Sequence, residues 1–307
     1  MSNCLCGTGK NLGQPGCTGK IGRPQKGLLT RRLGNDGVEN NLKLTDVLGS
    51  SFFTGLINQS DISKKLYPTG TIVNVVDERG DPVTYNADNI EYFSSQGNRT
   101  FTFEIIDGAS PQLEKAYNNF RCQDMCIYLV SADSQIVGNE RSTGILRPFR
   151  IEKNTLNAKY IPATATTPER LMVTLTFSPL ERDGDISYFN YTEGGTGAGV
   201  LAVNPLDFQG LVDVTMGTAT GITTTAFTIP MTYIYGGMDR LPFEAGLIAD
   251  FTLYNVTDAA AVTITSVTPT GGSYAFVIPT QTSGDVLRLT FDKEGFESTN
   301  VLSITIP

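Results

Sequence analysis

The fold is decided by a stretch that begins with Arg99-Thr-Phe-Thr-Phe-Glu-Ile-Ile106 and Ser110-Pro-Gln-Leu-Glu-Lys-Ala-Tyr-Asn-Asn-Phe120 and continues with Met125-Cys-Ile-Tyr-Leu-Val130 and Arg170-Leu-Met-Val-Thr-Leu-Thr-Phe177. These segments predict a strand, a helix, a second strand and, after a long excursion over residues 131–169, a third strand. A single helix among β-strands, with no catalytic motif beside it, favours a role in assembly over chemistry.

Side-chain alternation identifies the strands of this stretch. Phe101, Phe103 and Ile105 fall on one face of the first strand, which is the period of two typical of a half-buried strand. The same alternation runs from Leu171 to Phe177 in the last strand. The run from Met125 to Val130 is continuously apolar, which predicts a strand covered on both faces, one of them by the helix.

The helix carries its own start signal and one apolar stripe. Ser110 is a suitable N-cap, and Pro111 stands at the first helical position, where its missing N–H costs nothing. Leu113, Tyr117 and Phe120 recur at helical spacing. We expect these three side chains to hold the helix on the sheet.

Composition restricts the function classes. The chain of 307 residues is long enough for two domains, and its 40% hydrophobic and 18% charged content is ordinary for a globular protein. It contains no histidine and no tryptophan. Because histidine is the commonest general acid or base near neutral pH and a frequent metal ligand, its absence argues against an enzyme and against a bound cofactor.

The charge is distributed unevenly along the chain. Residues 1–34 contain six basic residues and no acidic one, so this part is +6 and the remainder, given the total of −8, is −14. The same part is rich in Gly, Asn and Pro, which predicts an extended basic arm over 1–34. We expect the arm to dock on the acidic face of a neighbouring copy, and a merely solvated tail is the alternative. The basic residues expected at such a contact are Lys10, Lys20, Arg23, Arg31 and Arg32.

Cysteine usage and hydropathy indicate where the protein is made. Five cysteines, an odd number, fit poorly with a secreted disulfide framework. The N-terminus has no apolar signal core, and no run reaches the roughly 18 apolar residues of a membrane helix. The sequence therefore predicts a protein that makes no membrane contact and is assembled in a cytoplasm.

The second half of the chain has the pattern of another β domain. Four glycines between Thr192 and Gly199 predict a joint, with one β domain over 35–200 and another over 201–307. Seven short β runs follow at intervals of about ten residues, without cysteine or helix, which predicts an immunoglobulin-like sandwich. The fold class expected is thus mainly β.

Three fragments suggest ligand-binding motifs, but none has the residue spacing that its motif requires. Gly16-Cys-Thr-Gly-Lys20 resembles a phosphate-binding loop, but it lacks the upstream glycine and the following Ser or Thr. Cys4, Cys6 and Cys17 lack zinc-knuckle spacing and a histidine. The acidic cluster Glu181-Arg-Asp-Gly-Asp185 does not match a calcium loop, and turn chemistry explains it. A carboxylate-based hydrolase stays open only as a weak alternative.

The order of these elements resembles the tail tube, or major tail, proteins of bacteriophages. The fragments Asn3-Cys-Leu-Cys6, Leu12-Gly-Gln-Pro-Gly-Cys17, Phe52-Phe-Thr-Gly-Leu-Ile-Asn58 and Val76-Asp-Glu-Arg79 are similar to structural proteins of phages infecting Bacteroidota, including crAss-like phages. The resemblance covers residues 1–190, and C-terminal immunoglobulin-like modules are common in such proteins.

The resemblance implies a tail-tube-like β-sandwich or barrel with one packed helix. Such proteins donate strands to a ring, commonly a hexamer, and their rings stack into a tube through which DNA passes without specific binding. The expected partners are other copies of the chain and further tail or connector proteins, and the expected location is the virion tail. The alternatives are a tail ring or connector, a head decoration protein, or a surface-glycan-binding module.

Overall fold

The chain folds into two β domains. The computed structural model describes residues 21–88, 90–95, 97–181, 183–234, 240–293 and 295–307. Both domains are built from facing β-sheets with apolar cores between them. The expected mainly-β sandwich fold is thereby confirmed.

The first domain contains fourteen strands and two helices within the described residues. Helix α1 spans Ser50–Ile57 and helix α2 spans Pro111–Asn119. The strands are β1 Pro24–Arg31, β2 Leu42–Lys43, β3 Leu66–Pro68, β4 Ile72–Arg79, β5 Val83–Ala87, β6 Ile90–Ser95, β7 Arg99–Ile105, β8 Met125–Ser131, β9 Gln135–Ser142, β10 Ile145–Arg147, β11 Phe149–Arg150, β12 Asn157–Ile161, β13 Arg170–Phe177 and β14 Ile186–Asn190.

Two sheets and one ribbon arise from these strands. The larger sheet follows the order β2-β10-β9-β8-β1-β3, with β11 beside β8 and β14 beside β9. The smaller sheet has the order β12-β13-β7-β4, and β5 and β6 form a separate two-stranded ribbon. All strand pairs of this domain are antiparallel. The region 131–169, expected as a long excursion, instead supplies β9 to β12.

Strand β8 lies between two apolar cores, and every one of its residues is buried. Met125, Ile127 and Leu129 face the smaller sheet, whereas Tyr128 and Val130 face a second core that contains α1. The expectation of cover on both faces therefore holds, but α1 covers the second face. Helix α2 lies along β12, at the edge of the smaller sheet.

The expected arm over 1–34 is wrong for residues 24–31, which form strand β1. This strand pairs with β8 on one side and β3 on the other, and Leu28 and Leu29 are buried in the two cores. The basic residue Lys26 suggested a solvated segment, yet its side chain is buried with its charge bonded to backbone carbonyls. Residues 1–20 lie outside the described residues, and with them Lys10 and Lys20.

The second domain has the strand order of an immunoglobulin-like sandwich. One sheet follows β20-β21-β16-β15 and the other β19-β18-β22-β24, which in chain order corresponds to DEBA facing C′CFG. The two short strands β17 and β23 pair with β16 and β15. The strands are β15 Val212–Met216, β16 Ala226–Ile234, β17 Arg240–Pro242, β18 Phe251–Asn255, β19 Ala260–Val262, β20 Ser266–Thr270, β21 Ser273–Val277, β22 Val286–Phe291, β23 Phe296–Ser298 and β24 Leu302–Thr305.

The connector after residue 200 belongs to the first domain. Leu201 and Phe208 are buried in the core that contains α1, and the Phe208 ring lies 4.7 Å from the ring of Phe53. Lys26 Nζ donates to the carbonyls of Leu206, at 2.5 Å, and of Phe208. The second sandwich therefore starts at β15 and not at the predicted residue 201, because these apolar residues cover the first domain.

A charged triad joins the two domains. Asp213 and Glu297 lie opposite each other on the parallel strands β15 and β23. Lys65, a buried residue of the first domain, places its Nζ 2.5 Å from Glu297 Oε2. Burial, and next to it the charge of Glu297, raises the pKa of Asp213 above its ordinary 3.8, while Lys65 opposes this rise. Lys65 thus compensates two like charges that face each other across a strand pair.

We predict that Lys65→Met destabilises the chain by roughly 1–2 kcal/mol at pH 7, because it leaves two carboxylates without a counter-charge; half-exposure of Glu297 moderates the effect. A carboxylate with a raised pKa binds its proton more tightly in the folded state. The free-energy cost of ionising it in the folded chain therefore grows as the pH rises. The loss should therefore shrink as the pH falls toward 3.8. Urea unfolding followed by circular dichroism measures this between about pH 3.5, near the ordinary pKa values of carboxylates, and about pH 8, where carboxylates are ionised.

The matched control is Lys65→Met combined with Glu297→Gln. Removing one of the facing carboxylates should restore most of the lost stability at pH 7. A loss that is independent of pH and is not relieved by the second substitution would contradict an electrostatic role for Lys65.

Candidate assembly surface

Helix α2 closes one edge of the smaller sheet with side-chain hydrogen bonds. Ala158, in the edge strand β12, donates its N–H to Asn118 Oδ1 at 3.1 Å and accepts from Asn118 Nδ2 at 3.1 Å. The N–H of Tyr160, two residues further on the same edge, donates to Glu114 Oε2 at 3.0 Å. Asn118 therefore pairs with the strand much as a neighbouring strand would, and this edge cannot accept another chain.

The opposite edge of the same sheet is open. Strand β4 pairs with β7 on one side, and no described strand pairs with its other side. A bulge between Val73 and Val76 bends it, with Asn74 in the left-handed region at φ +49°. Val76 is exposed on this strand. An open strand of eight residues is a template for pairing with another chain.

The ribbon of β5 and β6 continues from this open edge and has one apolar face. Tyr85 and Tyr92 are direct partners whose rings stack at 5.2 Å, and Ile90 follows on the same face. Tyr85 is 57% exposed, Tyr92 42% and Ile90 55%. On the other face, Thr84 Oγ1 donates to Glu91 Oε1 at 2.6 Å, and Asn86 lies opposite Glu91. A two-stranded ribbon is marginally stable alone, so its apolar face calls for a partner.

Close contacts fix the base of the ribbon. The Arg99 guanidinium bonds both carboxylate oxygens of Asp77, at 2.8 and 2.6 Å, and lies over the ring of Phe177. The hydrogen bonds that Arg99 donates to Asp77 raise the pKa of its guanidinium. A Cβ at Gly97 would lie 2.0 Å from the Gly80 carbonyl oxygen, so only glycine fits where the chain returns. We define β4 with this ribbon as the open surface.

The expected arm contacts are dispersed in the structure. Arg23 is exposed, and its carbonyl accepts from the N–H of Ala132. Arg31 Nε donates to Gln123 Oε1 at 3.1 Å. Arg32 lies 3.8 Å from Asp124. The side chains of Arg31 and Arg32 therefore have partners within their own domain, whereas the contact of Arg23 is made by its backbone alone.

The three helix residues lie in or against the core between the two sheets. Tyr117 is buried there, while Leu113 and Phe120 are partly buried against it. Burial raises the pKa of the Tyr117 phenol, which keeps its hydroxyl neutral. Ser110 accepts from the Leu113 N–H at 3.1 Å and forms the helix N-cap.

Sequence reasoning missed the ribbon, although its signal is present. Val83 and Tyr85 alternate with polar residues, and the alternation resumes at Ile90 and Tyr92. Asp88-Asn89 stands between the two runs, and Asp88 has φ +52°. Two alternating runs around such a dipeptide are a hairpin signal.

Comparison with known proteins gives no identification. No family model and no curated protein matches the sequence. One solved structure that matches is the N-terminal part of the bacterial S-layer protein SbsC, with 15% identity over 31% of this chain and 23% of that chain. Its TM-score is 0.25, so this similarity carries no argument.

The described ranges contain neither a metal-binding cluster nor a helix that could span a membrane. No group of three or more Cys, Asp and Glu side chains is placed there to hold a metal ion. The helices of these ranges fall short of the length and apolar character that crossing a bilayer requires.

We predict that Asn118→Ala destabilises the first domain by about 1–3 kcal/mol, because it leaves both backbone groups of Ala158 unpaired. Hydrogen exchange should also become faster at the amide of Ala158. Asn119→Ala is the matched control, since Asn119 is exposed on the same helix and its side chain makes no hydrogen bond to a described residue. Equal effects of the two substitutions in urea unfolding and hydrogen exchange would contradict the capping role.

Proposed function

We propose that this chain is a structural virion protein of a tailed bacteriophage that assembles into stacked rings of the tail tube. The observation that carries the proposal is the difference between the two edges of the smaller sheet. Helix α2 closes β12, whereas β4 stays open and continues into an amphipathic ribbon. Each copy thus offers a strand edge for a neighbouring copy and protects the edge that takes no partner.

In the proposed ring, the open edge of one copy meets a different patch of the next copy. Heterologous contact between different patches of identical subunits closes into a ring when the rotation between copies permits. Pairing at β4 would satisfy its outer backbone groups, and burial of Tyr85 and Tyr92 would add aromatic area at the contact. Six copies per ring, stacking of rings and further tail or connector proteins are part of the proposal through the resemblance.

The charge of the chain is compatible with a DNA conduit. Residues 35–307 carry a net charge of −14. Negative groups on a lumen wall would repel the phosphate backbone, so that DNA could slide without binding. In this proposal the protein acts without catalysis or cofactor, and it is assembled in the host cytoplasm before it becomes part of the virion tail.

A glycan-binding role for the second sandwich is the alternative that one observation favours. An open groove of about 900 Å³ on this sandwich is lined by the partly exposed residues Tyr233 and Phe296, with Glu244 at its side. Aromatic side chains and carboxylates are common in sugar-binding sites. Binding of the full chain to a glycan array, lost in Tyr233→Ala, would support this role.

We predict that Tyr85→Ser combined with Tyr92→Ser weakens self-assembly by roughly 2 kcal/mol per contact, because tyrosines at interfaces contribute strongly to affinity. The monomer should keep its fold, since both side chains are exposed. Sedimentation velocity and negative-stain images of the purified chain measure the loss of rings.

The control for this substitution is Asn86→Ala, which lies on the other face of the same ribbon. It should assemble as the unmodified chain does. Rings that form equally well with and without the two tyrosines would contradict a contact through the ribbon.

We also predict that residues 2–20, and not strand β1, provide the contact of the basic arm with a neighbouring copy. Deleting residues 2–20 removes Lys10 and Lys20 but keeps β1, so the shortened chain should fold and assemble with weaker dependence on salt. Deleting residues 2–34 removes β1 from between β8 and β3 in the larger sheet and should prevent folding. Circular dichroism and sedimentation at low and high salt test both deletions, and unchanged assembly after the shorter one would refute the arm contact.

A further inference from the structure

A polar pocket of about 130 Å³ opens beside β9 and β10 in the first domain. Four guanidinium groups line it, and they come from four separate parts of the chain. These are Arg32 after β1, Arg141 in β9, Arg147 in β10 and Arg150 in β11. Convergence of four arginines on one small space is the feature that calls for an explanation.

The guanidinium groups of the pocket leave most of their donors unused. Arg32 and Arg150 lie 3.8 and 3.4 Å from Asp124, and Arg147 lies 3.4 Å from Glu39. These separations exceed hydrogen-bond distance for a charged pair. By contrast, the Arg99–Asp77 ion pair at the base of the ribbon measures 2.6 Å. The pocket arginines therefore have neighbouring charges without direct bonds to them.

Arg141, the fourth arginine of the pocket, makes one hydrogen bond, and its acceptor is a backbone carbonyl. Its Nη2 donates to the carbonyl of Leu180, while its distances to Glu181 and Asp185 are 3.7 and 4.0 Å. Each guanidinium carries five N–H donors in a planar fork that matches a tetrahedral or carboxylate oxyanion. Together, the four forks can donate to several oxygens of one small anion.

Two buried atoms in the pocket have no hydrogen-bond partner among the residues that the structure describes. One is the donor Nε of Arg147, and the other is the acceptor Oδ1 of Asn139, a residue only 1% exposed. Asn139 Nδ2 donates to Glu181 Oε2 at 2.5 Å, which fixes the orientation of the amide, since the reverse would face two oxygens. A ligand that suits both atoms must accept one hydrogen bond and donate another.

The lining favours an anion through its unused donors and not through a net positive charge. It holds four arginines and two carboxylates, Glu39 and Glu181, and two further carboxylates, Asp124 and Asp185, lie within 4.0 Å of its arginines, so the formal charges balance. The thiol of Cys126 also lines the pocket. Burial, and then the charges of Asp124 and Glu181, raises the pKa of this thiol to about 12, so it adds no charge.

We propose that this pocket binds inorganic phosphate. Its oxygens accept from the guanidinium forks, including Arg147 Nε, and its protonated oxygen donates to Asn139 Oδ1. Inorganic phosphate retains at least one proton at pH 7, whereas sulfate and the phosphodiester of DNA carry none. The pocket is therefore expected to prefer inorganic phosphate to sulfate and to the DNA backbone.

The test uses the full chain at pH 7 and constant ionic strength. Isothermal titration calorimetry measures affinity for sodium phosphate and sodium sulfate, and thermal unfolding in phosphate, sulfate and chloride measures the stabilisation that binding brings. We expect phosphate to bind at least tenfold more tightly than sulfate and to raise the unfolding temperature. Equal or absent binding of the two anions would overturn the proposal.

Variants separate the pocket from the rest of the surface. Arg147→Lys keeps the charge but loses the fork and should weaken phosphate binding about tenfold, and Arg32→Lys at the rim tests the same point if the first variant unfolds. Asn139→Ala should abolish the preference for phosphate over sulfate. Arg288→Lys, in the second sandwich, is the matched control and should bind as the unmodified chain does.

A DNA duplex without terminal phosphates distinguishes the two sources of phosphate. It is expected not to displace bound phosphate in a phosphorus NMR competition. Displacement by the duplex, or unchanged affinity in both arginine variants, would overturn the assignment of the pocket to inorganic phosphate.

Discussion

Backbone hydrogen bonding at the edges of the smaller sheet is the constraint on which the first domain depends. Every outer N–H and C=O of an edge strand needs water, a side chain or another strand. At β12, Asn118 and Glu114 supply the partners from one helix. At β4 the described residues supply none. Because of this difference, the smaller sheet can accept a further strand at β4 and not at β12.

The two domains are coupled by charge as well as by apolar packing. Lys26 and Lys65 are both buried, and both direct their amino groups toward the chain beyond residue 200. Lys26 satisfies two carbonyls of the connector, and Lys65 meets a carboxylate of the second sandwich. Phe208 packs on the same side, against α1. The connector is thus part of the first core and leaves little freedom between the domains.

Local patterns predicted those elements whose signals are themselves local. Alternation defined β7 and β13, and Ser110 with Pro111 defined the start of α2. Strand β1 was mistaken for an arm because the carbonyls that satisfy Lys26 stand 180 and 182 residues away along the chain. The hydrogen bonds between Asn118 and β12 were missed for the same reason, because Asn118 and Ala158 are distant in sequence and come together only in the folded chain. Spacing along the sequence could not reveal either contact.

The arginine pocket was beyond prediction for a related reason. Its four guanidinium groups come from separate parts of the chain, and Arg32 was interpreted from sequence as part of a docking arm.

The fixed attachment of the second sandwich has a consequence for any multimer of this chain. Copies held at one angle present identical modules at regular spacing, so weak individual contacts with a repetitive target would combine into high avidity.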